Sequence, residues 1–292
     1  MQFVGAYTAL ATPFHNGHVD EERYREFIEW QITEGIDGLV PCGTTGESAT
    51  LDHEEHERVI KICIDQAKGR VPVIAGAGSN STKEAIRLTK FAKEVGADAA
   101  LHITPYYVKP TQQGLFEHMK AIADAVDMPL FVYNVPGRTS VSVAPKTMAK
   151  IYKEIPSVIG AKEATGDMSY VSDVLEYCGP TFQLLSGDDF TVLPALTLGA
   201  TGVISVVSNL LPKKMAQMCA AFRKGDLAAA KALHYEMMPF SRACFVETNP
   251  IPIKTALAKT GKMDIEMRLP LVQMLPENEK ILEDALRGLA LL

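Results

Sequence analysis

Residues Phe190 to Pro212 read "FTVLPALTLGATGVISVVSNLLP", a run without one charged side chain. It is long enough to cross a bilayer. Pro194, Gly199, Gly202, a series of hydroxyl side chains and Asn209 interrupt it, however, and they divide it into three pieces. "FTVLPALTL" reads as a helix, "GATG" as a turn and "VISVV" as a buried strand. The run is therefore one helix-and-strand unit of a soluble α/β chain rather than a membrane span. That division decides the fold, because the same unit recurs on either side.

Apolar, β-rich segments bounded by Gly, Pro or Asn precede it at regular intervals. They are "GAYTALAT" from Gly5, "GLVPCG" from Gly38, "VPVIAGAG" from Val71 and "AALHIT" from Ala99. "PLFVYNV" from Pro129, "SVIGAKE" from Ser157, "FQLLSG" from Phe182 and "GVISVV" from Gly202 complete a set of eight. Amphipathic helices lie between them. "DEERYREFIEWQITEG" sets Tyr24, Phe27, Ile28 and Ile32 on one face, with acids in its first turn and Gly35 after its last. "DHEEHERVIKICIDQAKG" opens with a capping box, Asp52 with Glu55, and closes at Gly69; "STKEAIRLTKFAKEVG" repeats the plan with Ser81, Glu84 and Gly96.

Continuously apolar strands that alternate with helices pair in parallel and are covered on both faces. A doubly wound sheet shares that pattern, but eight units in about 220 residues is the count of a closed (β/α)8 TIM barrel. After Asn209 only helices follow, in "PKKMAQMCAAFRKGD", "LAAAKALHYEMMPFSRACF", a piece from Pro252 and a last one from Glu277. The expected organisation is a catalytic barrel over residues 1–224 and a C-terminal α-helical extension over 225–292.

Composition limits the function classes. The chain has 292 residues and a net charge of -6, with no Lys/Arg-rich run, which argues against nucleic acid as a partner. The N-terminal "MQFVGAYTALATPF" lacks the basic stretch and apolar core of an export signal. Cys42, Cys63, Cys178, Cys219 and Cys244 are scattered and odd in number, as expected of reduced core thiols in a cytoplasmic protein.

Within this frame "VIGAKEATGD", Val158 to Asp167, raises a chemical question. It puts Lys162 late in a buried strand, where a charge costs several kcal/mol unless paired. A structural lysine would be matched with a carboxylate or reach solvent at the strand end. A chemical lysine would offer a neutral amine to a carbonyl. Strand ends of a (β/α)8 barrel surround its active site, which favours chemistry. Other strand ends carry "TPYY" (Thr104 to Tyr107) and "YNVPGRT" (Tyr133 to Thr139). "GTTGES", Gly43 to Ser48, follows the second strand and reads either as a plain βα turn or as a nest of N–H groups and Thr hydroxyls for a carboxylate. Three apparent motifs fail. "HEEH" spaces its histidines by three where a zinc-protease helix needs four, "GAGSNS" lacks the third glycine of a dinucleotide fingerprint, and "GTTGES" lacks a P-loop lysine.

Tyr133-x-x-Pro136, Lys162 in "GAKEATG" and the upstream "GTTGES" together resemble the pyruvate-dependent class I aldolase and lyase family. The resemblance runs from "ATPF" to "NPIPIK" and the closing helices, and "YNVPGRT" with Arg138 matches the branch that condenses pyruvate with L-aspartate 4-semialdehyde in diaminopimelate and lysine biosynthesis. It implies that Lys162 forms an imine with pyruvate, and that Tyr133, Thr44 and Tyr107 relay protons, Tyr107 across a tight dimer interface. It further implies that Thr44 and Thr45 hold the pyruvate carboxylate, that Arg138 grips the semialdehyde, and that backbone at Gly187 and Ile204 lines the pocket. No metal or organic cofactor is implied, because the imine is the electron sink. The family's assembly implies a homotetramer, a dimer of tight dimers. Ser48, Ala49, His53, His56, Asn80, Glu84 and Tyr106 match the positions where L-lysine inhibits the lysine-sensitive members. Sugar-acid aldolases and N-acetylneuraminate lyase would share Lys162 and Tyr133 without needing Arg138, and a barrel that only binds would tolerate the loss of Lys162.

Overall fold

The structure, a computed structural model, describes every residue from Met1 to Leu292. All eight expected strands form: β1 (Gly5–Ala9), β2 (Gly38–Val40), β3 (Ile74–Gly76), β4 (Ala99–Ile103), β5 (Leu130–Asn134), β6 (Val158–Glu163), β7 (Gln183–Ser186) and β8 (Gly202–Ser205). They make one sheet in the order β2-β1-β8-β7-β6-β5-β4-β3, with parallel pairing. At the end of that order the Leu39 N–H donates to the Pro72 carbonyl at 3.0 Å, at the foot of β3. This is a (β/α)8 barrel followed by C-terminal helices. Between strands run α1 (Glu21–Thr33), α2 (His53–Ala67), α3 (Thr82–Glu94), α4 (Gln112–Ala125), α5 (Pro136–Thr139), α6 (Pro145–Glu154), α7 (Met168–Cys178) and α8 (Val192–Leu198). After β8 come α9 (Pro212–Arg223), α10 (Leu227–Ala243), α11 (Ile251–Lys259) and α12 (Pro276–Gly288).

The charge-free run divides as its breakers dictate, into α8, a turn at Gly199 with φ +114° and the strand β8. No helix is long and apolar enough to cross a membrane. Helix starts follow their caps. Asp52 and Glu55 close the full capping box of α2, while Asp20, Ser81, Thr111, Asp167 and Asp226 each accept a bond from the first turn of their helix. Two short elements were not expected. Phe14–His15 and His18–Val19 form an antiparallel ribbon around Asn16-Gly17, and α5 occupies the middle of "YNVPGRT". Both are too short for a periodic signal.

Contacts gather the chain into two compact units. The first comprises Met1–Val4 and Val73–Ile204, hence β3 to β7, most of β8 and α3 to α8. Its core lies between strands and helices, where Val132, Ala161 and Leu184 take neighbouring register positions against Met148, Ile151 and Val174. Side chains alternate along a strand, so the next residues, Tyr133, Lys162 and Leu185, share the opposite, barrel-interior face. Gly160 sets how closely β6 and β7 approach: a Cβ there would run into the Gln183 carbonyl and the Phe131 ring.

The second unit comprises Gly5–Pro72 and Ser205–Leu292. On α1, Tyr24, Phe27 and Ile28 are buried as their spacing requires, whereas Ile32 is only half-buried and Gln31 is buried instead. The exchange has a polar cause. Gln31 accepts from Thr8 Oγ1 at 2.7 Å and donates to the carbonyls of Ser208 and Asn209 at 3.2 and 2.9 Å. A buried amide with every bond made costs little, and this one ties α1 to the segment after β8. The five cysteines are buried free thiols.

Two buried histidines give the first unit a pH dependence. Burial holds His102 in β4 at about 3, helped by nearby His118, and holds His118 in α4 at about 4. An unfolded histidine titrates near 6.5, so below that pH the unfolded chain binds protons that the folded chain refuses. Their contribution to stability is therefore complete above about pH 6.5 and declines as the pH falls toward the folded values. Urea midpoints should drop between about pH 7.5 and about pH 5, and by clearly less in a His102→Gln, His118→Gln double variant. An equal drop in both proteins would exclude the histidines as the cause.

Candidate active site

The first unit brings most of the expected catalytic residues to strand ends. Lys162 is fifth of six residues in β6, and its register partner in β5 is Tyr133. The side chain is only 6% exposed and its Nζ lies 4.3 Å from the centre of the Tyr133 ring. Gly187 follows β7, and its missing side chain makes room for the lysine: a Cβ there would stand 2.9 Å from Lys162 Cε and 2.8 Å from Ala164 Cβ. Ile204 in β8 is fully buried.

A polar bracket behind this pair fixes the strand ends. Asn134 and Glu163, each one residue beyond Tyr133 and Lys162, are also register partners and point the other way. Asn134 Nδ2 donates to Glu163 Oε2 at 2.9 Å, and the Thr165 N–H donates to Glu163 Oε1 at 2.6 Å. Asn134 Oδ1 in turn accepts from the Val143 N–H at 3.0 Å, and the Tyr170 hydroxyl donates to the Val143 carbonyl at 2.5 Å. Burial pushes the Glu163 carboxyl above its ordinary pKa, against the pull of these donors. Slippage of β5 against β6 would break the bracket, so it holds the phenol ring of Tyr133 beside the lysine.

Arg138 lies in α5, exposed, one residue before buried Thr139, which accepts from Thr104 Oγ1 at 3.1 Å. That bond joins the ends of β4 and β5 and sets the base from which Arg138 projects. Tyr107, beyond β4, has φ +70° and is 89% exposed. Of the seven positions matched to an effector site, three belong to this unit and cluster. Asn80 Nδ2 reaches the Tyr106 carbonyl at 3.4 Å, Glu84 bonds Ser79 Oγ, and burial followed by the Glu84 charge raises the Tyr106 hydroxyl's pKa. Glu84 is thus turned toward Ser79 and Tyr106.

The second unit holds the hydroxyl-rich turn. Its internal bonds run from Gly46 N to Gly43 O at 3.1 Å, Glu47 N to Thr44 O at 3.1 Å and Ser48 N to Gly43 O at 3.4 Å. The N–H groups of Thr44 and Thr45 stand outside that set, as a carboxylate nest requires. Thr45 is buried and Thr44 half-buried. Glu47, in the left-handed region at φ +55°, carries a fully buried ion pair with Lys254 of α11 at 2.5 Å. Burial lowers the Lys254 pKa and the Glu47 carboxylate opposes that. Glu47 Oε2 also accepts the Arg268 N–H at 3.1 Å, and the Arg268 guanidinium grips Glu55 at 2.5 and 2.6 Å. Ser48 and exposed Ala49 form a single 3₁₀ turn; on α2, His53 is exposed while His56 is buried. The anchors Glu47, Lys254 and Arg268 carry no signal of their own in the sequence.

Lys162 and Lys254 are thus both buried, and they solve the problem differently. Each meets an aromatic ring, Lys254 that of Phe14 and Lys162 that of Tyr133, both 4.3 Å from the ring centre, but Lys254 also has its carboxylate whereas Lys162 is in none of the ion pairs. Its amine is left available for covalent chemistry with a carbonyl.

Residues 2–288 match the Dihydrodipicolinate synthetase family. A 4-hydroxy-tetrahydrodipicolinate synthase of Nitratidesulfovibrio vulgaris (strain DP4) is 63% identical over 292 residues, all of both chains. The chloride-inhibited dihydrodipicolinate synthase from Acinetobacter baumannii, solved in complex with pyruvate, superposes with a TM-score of 0.96 at 44% identity, over 99% of each chain. The enzyme from Cyanidioschyzon merolae with lysine bound superposes with a TM-score of 0.96 at 38% identity, over 100% of each.

The packing at Gly187 gives a test that needs no assumption about the second substrate. Gly187→Ala forces Lys162 aside, since Ala164 leaves the new methyl no other space. Borohydride capture of a small 2-oxo acid on Lys162 should slow on the order of tenfold to a hundredfold, and the melting temperature should fall as well because the methyl also crowds Ala164. Capture at the wild-type rate would show that the lysine's position is not set there.

Proposed function

Because the chain belongs to the dihydrodipicolinate synthetase family, we propose that it is a 4-hydroxy-tetrahydrodipicolinate synthase, a lyase that joins pyruvate to L-aspartate 4-semialdehyde through an imine on Lys162. The observation that carries this reading is the buried lysine without a carboxylate, held by strand register against Tyr133. In the reaction, the amine adds to the pyruvate ketone and water leaves, giving a protonated imine. The imine draws electrons from the adjacent methyl group, which loses a proton and becomes the nucleophilic carbon of an enamine. That carbon attacks the semialdehyde's aldehyde, and the substrate's own amine then displaces Lys162 as the ring closes. The electron sink is the imine, so the chemistry calls for no metal or organic cofactor.

The remaining roles follow the chemistry of each side chain. Tyr133, nearest the amine, gives and takes the proton at the carbinolamine, and Thr44 and Tyr107 extend the relay. Thr44 and Thr45 hold the pyruvate carboxylate with hydroxyl and N–H donors. Arg138 is exposed at a strand end and binds the carboxylate of the second substrate with its two-pronged donor face. Gly187 and Ile204 line the pocket. Tyr107 is too exposed to serve a packed core, which supports its placement in a neighbouring subunit's site within a tight dimer; a homotetramer built of two such dimers is the assembly that the family reading adds. Work in the cytoplasm suits five reduced, buried thiols.

The same reading includes feedback inhibition by L-lysine at Ser48, Ala49, His53, His56, Asn80, Glu84 and Tyr106. Glu84 supplies a carboxylate for an α-ammonium, Asn80 and Tyr106 supply donors for a carboxylate, and the histidines supply polar neighbours for the ε-ammonium. The cluster of Asn80, Glu84 and Tyr106 supports it.

Covalent trapping tests the catalytic assignment. Pyruvate with borohydride should leave a reduced adduct on Lys162 alone, and Lys162→Ala should abolish both adduct and turnover. Label on Lys254 or another lysine would overturn the mechanism. Inhibition is tested separately: millimolar L-lysine should depress turnover without competing with pyruvate, and Glu84→Thr should relieve it while keeping basal activity. Wild-type protein that binds no lysine in a calorimeter would refute the effector site.

A further inference from the structure

The Thr44-Thr45 turn is gripped by the C-terminal helices at a second point, and this one touches a proposed substrate ligand. Asn249, just before α11, places its Nδ2 3.0 Å from Thr45 Oγ1, and both side chains are buried. A threonine hydroxyl has one proton to give and two lone pairs to receive. With one lone pair occupied by the asparagine N–H, the hydroxyl is oriented as an acceptor toward Asn249 and its own proton must go elsewhere. A carboxylate is an acceptor only, so a hydroxyl that binds one has to donate.

We infer that Asn249 is a positioning residue that fixes the polarity of the Thr45 hydroxyl, turning it into a dedicated donor for the carboxylate of the 2-oxo acid substrate. The inference rests on the reading of Thr45 as a carboxylate ligand. It extends that reading into the C-terminal extension, which thereby sets substrate affinity rather than merely covering the barrel. The local geometry supports a role separate from stability. The turn and α11 are already fastened by Glu47 with Lys254 and by Glu47 with the Arg268 N–H, and Arg268 is fastened to Glu55. The bond from Asn249 to Thr45 adds an orientation.

The opposite polarity can be installed. In Asn249→Asp the carboxylate accepts, so the Thr45 proton turns toward it and away from substrate. In Asn249→Ala the hydroxyl rotates freely. Steady-state kinetics of the full-length protein, with melting temperatures measured in parallel, distinguish these. The pyruvate KM should rise about tenfold or more in Asn249→Asp and less in Asn249→Ala, with kcat changed far less. Lowering the pH should return the Asn249→Asp KM toward wild type, because a protonated aspartic acid is a donor again; Asn249→Ala should keep the wild-type pH profile. The inference is overturned if Thr45→Val raises the pyruvate KM while Asn249→Asp matches Asn249→Ala at every pH. If Thr45→Val leaves the pyruvate KM unchanged, the carboxylate role of Thr45 falls and the inference with it. Should Asn249→Asp fail to fold, Asn249→Ala decides, and a pyruvate KM equal to the wild-type value there, with Thr45→Val raising it, would overturn the proposal.

Discussion

A lysine head group taken out of water needs a counter-charge, a full set of hydrogen bonds or a reason to be reactive, because desolvation of the ammonium costs several kcal/mol. This chain buries two lysines and answers the problem in two ways. Lys254 is completed by Glu47, and the pair is a structural rivet. Lys162 is left with the face of Tyr133 and the gap that Gly187 provides. The rest of the architecture can be read as what is needed to keep the second lysine in that position. Parallel strands bring it to a strand end, small residues give it room, and a buried polar bracket stops its strand from sliding.

The bracket shows how the two faces of a strand divide the labour. A one-residue slip of β6 against β5 would move Lys162 out of the interior and carry Glu163 into it. Asn134 and Glu163 oppose that slip from the outer face, with the Thr165 and Val143 N–H groups completing their bonds. The placement of Lys162 against Tyr133 on one side is thus secured by satisfied hydrogen bonding on the other, within two adjacent residues of each strand.

The barrel was legible because its signals are periodic and local. Eight apolar runs, their spacing and the caps at Asp52 and Ser81 carry the topology without any tertiary information. The burial of Gln31 in place of Ile32 was not legible, since it depends on Thr8, Ser208 and Asn209, which are remote in sequence. The site divides along the same line. Lys162 stood out as a charge in an apolar strand, and Tyr133, Arg138 and the threonine turn were singled out because their motifs are compact. Glu47, Lys254 and Asn249 escaped notice for the opposite reason. Each looks ordinary in its own segment, and its meaning lies in a partner some two hundred residues away, 207 for the ion pair and 204 for the amide.

That separation has a consequence for how the protein comes into being. The chain emerges from the ribosome in order, and the GTTGES turn is made early while its partners are made late. Until Lys254 is present, Glu47 has no cation to accompany it into the interior, and a lone carboxylate there would be strongly opposed. The left-handed backbone at Glu47 likewise waits for the contacts that hold it. Burial of this turn with its charge neutralised therefore requires synthesis through Lys254.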